Sequence, residues 1–257
     1  MQRFVRIRRE SRLKQLVLCY HAVSDSWPDP LAVSPSALER QVRGLLDRGY
    51  RPVSAEEALA GHGGTLHLTF DDAYRNLASV LPILERLQVP ATVFACTDFA
   101  ADGGPLTVPE LAVRAAAYHD AIATMDWDAL RALAERGVEV GSHTASHAHL
   151  TRLSDRELDD ELRGSRERIE AELSRPCRFI AYPYGENDER VRKAAQAAGY
   201  VAGYSLRATG DPLDCYGLPR VSVYRGDGTL RFRLKTSGLR PAATFTLDLF
   251  RGSDDTR

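Results

Sequence analysis

Leu66-His67-Leu68-Thr69-Phe70 alternates apolar and polar residues and then stops on two carboxylates, Asp71-Asp72. A period of two is the mark of a half-buried strand, so Asp71 and Asp72 fall at or just past a strand end. Inside a strand they would face opposite ways; where the backbone turns, both can reach one site. A second short run, Val138-Glu139-Val140, leads through Gly141 into Ser142-His143-Thr144-Ala145-Ser146-His147. Its two imidazoles, four apart, share one helical face or one tight loop.

Working outward, strand signals recur at 16–20, 66–70, 91–95, 138–140, 179–182, 200–204 and 218–223, each bounded by turn or cap residues. Amphipathic helices lie between them. Ser34-Pro35 opens one whose Leu38, Val42 and Leu45 share a face. Asp126 caps another, Ser154-Asp155-Arg156-Glu157 is a capping box for a third, and 187–199 forms a fourth. The stretch 77–87 reads as helix, with Pro82 inside it forcing a kink or restart. The stretch 100–124 has the weakest pattern and is expected to be a surface insertion. Strand–helix repeats without a long linker predict one α/β domain on a parallel sheet. There is no GxGxxG turn, and both chemical motifs follow strands directly. These features favour a distorted or incomplete (β/α) barrel of about seven parallel strands, spanning 15–250, with a basic tail at 1–14 and a frayed tail at 251–257.

Composition excludes several classes. A formal net charge of −1 gives no global field for nucleic acid. No run approaches the ~18 apolar residues of a membrane span. Arg3, Arg6, Arg8, Arg9, Arg12 and Lys14 are followed by no hydrophobic signal core, so the N-terminus reads as a solvated tail. Weak peripheral contact with an anionic membrane is the alternative. A cytoplasmic location is expected. Cys19, Cys96, Cys177 and Cys215 form no CxxC pair and read as reduced thiols rather than disulfides or a thiolate metal site.

An acidic pair alone often caps a helix, and an HxxxH alone is as often a surface or core pair. Together after two strands they offer two imidazoles and one carboxylate to a divalent metal, Zn2+ above other first-row ions. One coordination position stays open for water, and one carboxylate remains as a base. His149 is expected to support the site or lie at the surface, since a fourth ligand would close that position.

Thr69-Phe70-Asp71-Asp72, His143-Thr144-x-x-His147 and Tyr182-Pro183-Tyr184-Gly185 resemble, in order and spacing, the three motifs of the polysaccharide deacetylases (carbohydrate esterase family 4). The resemblance covers roughly 16–223 and implies a hydrolase removing an acetyl group from an N-acetylated sugar. By position it makes Asp72, His143 and His147 the metal ligands, Asp71 the general base, and the Tyr184 backbone N–H an oxyanion donor.

The sequence departs from the family pattern in three places. Ala73 replaces a glycine, which matters only if that position needs positive φ. Ala181 stands where an arginine usually orients the base, so Arg220 in Leu218-Pro219-Arg220-Val221 is the candidate substitute. No histidine follows His149, so the late motif that supplies the general acid is absent. Cys19-Tyr20-His21 instead resembles the Tyr-His segment of the poly-N-acetylglucosamine deacetylase subgroup, which makes His21 the expected acid. Tyr182, Tyr184, Trp127 and Leu153 are candidates for a sugar or acyl pocket, with an ordinary core role equally good for Trp127. The expected partner is an acetylated carbohydrate, with no protein partner implied. The competing readings are a deacylase of a non-sugar amide or O-acetyl ester, and a catalytically silent carbohydrate-binding protein.

Overall fold

Seven short runs of β-branched and aromatic residues build the sheet, each where the alternation places it. The computed structural model describes residues 13–207 and 214–237, so most of the expected basic tail and all of the 251–257 tail lie outside the described residues. The strands are β1 (Leu16–Tyr20), β2 (Thr65–Phe70), β3 (Ala91–Ala95), β4 (Glu139–Ser142), β5 (Phe179–Ala181), β6 (Ala202–Ser205), β7 (Leu218–Pro219) and β8 (Val221–Ser222). All pair in parallel, in the order β7-β6-β5-β4-β3-β2-β1-β8, and Arg51–Pro52 pairs with β2 off this path.

The two edge strands of that path are consecutive in the chain, separated only by Arg220. The last expected strand is divided in two because it changes partner there, from β6 to β1. The Arg220 N–H donates to the Ser205 carbonyl at 3.0 Å, and the Val223 N–H donates to the Cys19 carbonyl at 2.9 Å. One stretch thus joins the first strand to the last, and the sheet closes almost fully into a distorted (β/α) barrel in a single domain.

Strand alternation separates two cores. Val17, Phe94, Phe179, Ala181, Ala202 and Tyr204 fill the barrel interior. Leu16, Leu18, Tyr20, Leu66, Leu68, Phe70, Ile180 and Tyr182 point outward against the helices. Gly141 lies inside β4 because the interior leaves no room for a side chain: an added Cβ would stand 2.5 Å from the Phe94 ring and 2.8 Å from the Phe179 carbonyl. The close approach at Gly141 is therefore to the barrel wall.

The helices follow their caps. Ser34 accepts from the Ala37 N–H ahead of Pro35–Leu46, Asp126 from the Ala129 N–H, and Asp188 from the Val191 N–H. Pro82 sits in the first turn of Leu81–Leu87, after a 3₁₀ segment Arg75–Val80, so the proline restarts the helix. The helix opened by the Ser154–Glu157 capping box contains a π-turn at Asp160–Gly164, a feature with no sequence signature.

The 100–124 stretch corrects the sequence reading. Leu106, Val108, Leu111 and Ile122 are buried in a separate cluster with Trp27, Leu31, Tyr74 and Tyr224. These residues form a packed wall over one end of the barrel, while the middle of the stretch, with Val113 and Tyr118, is exposed, so the surface reading holds for that part alone. No helix among the described residues is long and apolar enough to cross a membrane.

Candidate active site

Each expected functional residue sits at or just beyond a strand's C-terminal end, where a parallel barrel carries its chemistry. The ladder extends one residue past two strands: the Asp71 N–H donates to the Tyr20 carbonyl at 2.9 Å, and the His143 N–H to the Ala95 carbonyl at 2.9 Å. Those bonds fix Asp71 after β2 and His143 after β4. His147 follows on an irregular loop, so the loop alternative for the HxxxH holds and the helical one does not. The loop is held from outside the barrel. Glu161, in the π-turn, accepts from the Ala145 N–H at 2.9 Å, from the Ser146 N–H at 3.0 Å and from the Ser146 hydroxyl.

Asp72, His143 and His147 meet. The Asp72 Oδ1 atom lies 3.4 Å from the Nε2 atoms of both histidines, and all three side chains are buried. Among the described residues that Oδ1 has no hydrogen-bond partner. Two ligands bonded at about 2.0–2.1 Å to one tetrahedral cation stand about 3.4 Å apart. The donor set therefore fits a divalent ion better than it fits mutual hydrogen bonds. The His143 Nδ1–H donates to the Ala181 carbonyl at 2.7 Å, which leaves Nε2 as the ligand atom. Burial draws the His147 imidazole down to about 4, so it stays neutral, as a metal ligand must. Burial also opposes charge on His143, but the Asp71 and Asp72 carboxylates outweigh it and raise its pKa.

Asp71 turns away from this triad toward Arg220. Nη1 and Nη2 of Arg220 donate to the two carboxylate oxygens at 2.6 and 2.8 Å, a bidentate fork with neither side chain open to solvent. Arg220 also donates to the Thr69 hydroxyl at 3.0 Å and lies 5.6 Å from the Phe94 ring centre and 5.9 Å from that of Tyr204. Burial works against ionisation of Asp71, yet the Arg220 guanidinium and the His143 imidazole prevail and hold its carboxyl well below the usual carboxylate range. Cys19, read from sequence only as a small apolar residue, donates its thiol to Asp71 Oδ2 at 3.3 Å. Burial pushes that thiol's pKa up, so it remains a donor. A ring nitrogen of His21 lies within 4.8 Å of the Asp71 carboxylate, and His21 shares one cavity with Asp71, Asp72, His143, His147 and Tyr184.

That cavity is small, about 20 Å³, and its apolar lining is Leu31, Leu111, Leu206 and Tyr224. Of the four expected pocket residues only Tyr184 lines it. Tyr182 is fully buried, with its hydroxyl on the Tyr216 carbonyl at 2.8 Å, and Trp127 and Leu153 pack against the outer core. Aromatic type alone cannot distinguish a pocket wall from a helix–sheet interface, which explains the error.

His149 lies at the rim with its ring stacked on Tyr184. Ala73 has φ 46°, so the position that the family fills with glycine does need positive φ here; the Met125 N–H on the Ala73 carbonyl at 2.8 Å helps hold it.

A nearly closed parallel barrel with a buried N,N,O donor triad and a separate ionised carboxylate at its C-terminal mouth defines a class: the (β/α)-barrel hydrolases. The sequence pattern of the polysaccharide deacetylase family matches residues 59–203, more than half of the chain. The chain belongs to that family and is a carbohydrate deacetylase. It is 25% identical over 230 residues to YxkH of Bacillus subtilis (strain 168), covering 86% of this chain and 75% of that protein. It is 34% identical over 143 residues to the poly-beta-1,6-N-acetyl-D-glucosamine N-deacetylase of Escherichia coli (strain K12), covering 50% of this chain and 20% of that protein. In fold it resembles the crystal structure of IcaB from Ammonifex degensii, with a TM-score of 0.70 at 21% identity over 87% of this chain and 97% of that one.

Proposed function

We propose that this protein is a divalent-metal-dependent hydrolase that removes the acetyl group from an N-acetylhexosamine in a polysaccharide, oligosaccharide or glycolipid. The observation that carries the reading is the Asp72 Oδ1 atom, buried, without a hydrogen bond among the described residues and 3.4 Å from two imidazole nitrogens, with a second ionised carboxylate beside it. The hexosamine is supported by the partial likeness to the Escherichia coli enzyme, whose name states that sugar.

Asp72, His143 and His147 would hold the ion, with Zn2+ favoured by the donor set. Such an ion supplies Lewis acidity, lowering the pKa of water toward ~7 and polarising an acyl oxygen. The chain's own residues do the rest. Arg220 takes one lone pair on each Asp71 oxygen and leaves others for the attacking water, so Asp71 is oriented, ionised and able to accept the proton. His21, in the same cavity, donates a proton to the departing amine nitrogen, which otherwise would leave as an anion. Tyr184 lines the same cavity, and its backbone N–H is the candidate donor to the tetrahedral oxyanion. Leu31, Leu111, Leu206 and Tyr224 exclude water and offer apolar contact to the acetyl methyl group.

The test is metal analysis together with acetate release from N-acetylglucosamine oligomers, for wild type, Asp71→Asn and His21→Ala. About one ion per chain is expected in all three, with kcat lowered by about 10²–10⁴ in each variant. Acetate release that survives Asp71→Asn, or that is indifferent to a chelator, would remove this mechanism.

A further inference from the structure

Three successive barrel loops are stitched together at the rim of the cavity by side chains the mechanism does not use. Glu110 comes from the wall that follows β3, His149 from the loop after β4, and Tyr184 and Glu186 from the loop after β5. The Tyr184 hydroxyl donates to Glu110 Oε2 at 2.9 Å. The other oxygen of the same carboxylate lies 3.0 Å from His149 Nε2, and His149 Nδ1 lies 2.8 Å from Glu186 Oε2. The His149 ring lies flat on the Tyr184 ring, with centres 4.0 Å apart and planes at 9°. The Tyr184 ring also meets that of His147, one of the three candidate ligands, edge to face, with centres 4.7 Å apart and planes at 76°.

Tyr184 is thus held by its hydroxyl and by two ring contacts. It needs to be, because its backbone has φ 60° and ψ 1°, a left-handed conformation that a tyrosine does not adopt without support. We propose that Glu110 is a positioning residue: by gripping the Tyr184 hydroxyl and the His149 imidazole with its two oxygens, it locks Tyr184 against His147 and sets the Tyr184 peptide for the transition state. This rests on the deacetylase reading above.

A purely structural role for Glu110 is the weaker account. The wall around it is anchored by Leu106, Val108, Leu111 and Ile122 in their own cluster, while the Glu110 side chain is a fifth exposed and reaches away from that cluster toward Tyr184. Losing the carboxylate therefore leaves the wall folded and frees the tyrosine.

The experiment compares wild type, Glu110→Ala, Glu110→Gln, Tyr184→Phe and the Glu110→Ala/Tyr184→Phe double variant. Acetate release from N-acetylglucosamine oligomers, zinc affinity by chelator competition and thermal unfolding are measured on each. Both Glu110→Ala and Tyr184→Phe should lower kcat about tenfold while KM moves less than about threefold. The double variant should lose no more than the worse single one, because one contact is being removed twice. Glu110→Gln, which keeps one acceptor oxygen, should recover part of the loss. Zinc affinity and unfolding temperature should match wild type throughout. Wild-type kcat in Glu110→Ala, a loss carried by KM alone, or losses that multiply in the double variant would each overturn the assignment. A wild type that releases no acetate would instead sink the deacetylase reading, and this inference with it.

Discussion

Replacing Arg220 with methionine should cost far more than any surface charge. In the wild type both Asp71 oxygens are met by the guanidinium, at 2.6 and 2.8 Å, and neither side chain touches solvent. Methionine fills similar space between Phe94 and Tyr204 but leaves a buried carboxylate with the Cys19 thiol as its remaining short contact. Removing one partner of such a pair costs about 3–5 kcal/mol. In a domain of this size that lowers Tm by about 6–20 °C. The pH dependence discriminates further. In the wild type the Asp71 pKa is depressed, so its stabilisation is full above the unfolded value of about 3.9 and is lost as pH falls through the folded one. In Arg220→Met the largest counterweight to burial is gone and only the weaker pull of the His143 and His21 imidazoles remains, so the Asp71 pKa rises from its wild-type position and acid relieves the variant of its stranded charge. The stability gap should therefore be widest near pH 7 and shrink steadily on acidification. Adding Asp71→Asn to Arg220→Met should recover much of the loss. Urea unfolding of chelator-treated protein between pH 4 and pH 7.5 measures all of this. A gap below about 1 kcal/mol at pH 7, or one that does not change with pH, would show that the fork does not hold the base.

Three further outcomes follow from other parts of the molecule. His67 is buried, with its ring nitrogens 2.9 Å from the Val53 carbonyl and 3.0 Å from the Thr92 hydroxyl, and burial draws its imidazole down to about 4. Its depressed pKa makes wild type lose on the order of 3 kcal/mol as pH falls from 6.5 to 4, a slope that His67→Gln should flatten in urea melts. Gly141→Ala drives a methyl into the Phe94 ring and the Phe179 carbonyl and should cost about 2–3 kcal/mol or more; Gly44→Ala, in a helix with nothing within 4 Å of its Cβ, should add about 0.5–1 kcal/mol, both read by thermal unfolding. Glu161→Ala releases the Ala145 and Ser146 N–H groups and should weaken zinc binding about 10–100-fold in a chelator competition, whereas unchanged affinity would show that the loop holds itself.

Residues that announce themselves by local spacing were legible in the chain, and residues that act across the fold were not. The seven strands were visible because alternation and bounding turns are local, and Asp71, Asp72, His143 and His147 because each pair lies within five positions at a strand end. Arg220 was reachable only through the family resemblance, which expects an arginine where Ala181 stands. Glu161 was not reachable: its work is done from a π-turn, 15 and 16 positions from the N–H groups it holds, with no cue in the capping box before it. Glu110 meets Tyr184 across 74 positions, inside a stretch whose buried apolar residues follow neither strand nor helix period. Cys19 looked like ordinary strand filling because alternation cannot say that an inward thiol will find a carboxylate 52 positions away.

Backbone strain shows where the fold spends stability on geometry. Among the described residues, seven that are not glycine have positive φ: Asp72, Ala73, Gln88, Thr144, His147, Ser174 and Tyr184. Gln88 and Ser174 merely end helices in the left-handed turn common there. The other five are two candidate ligands, Asp72 and His147, the residues that follow Asp72 and the third ligand His143 (Ala73 and Thr144), and the tyrosine packed on His147. Each such residue costs about 1–3 kcal/mol and persists only where its surroundings over-determine it. The surroundings here do so with unusual redundancy. Thr144 is held through its own N–H by the Ser142 hydroxyl at 3.0 Å and through its carbonyl by the Thr97 N–H at 3.2 Å, while its hydroxyl takes the His147 N–H at 3.1 Å. A loop selected only to connect β4 to the next helix would relax into ordinary conformations and save that free energy. Retaining the strain makes sense when two imidazoles and a carboxylate must aim at one point, because a flexible loop would return the ordering cost as lost affinity at every binding event.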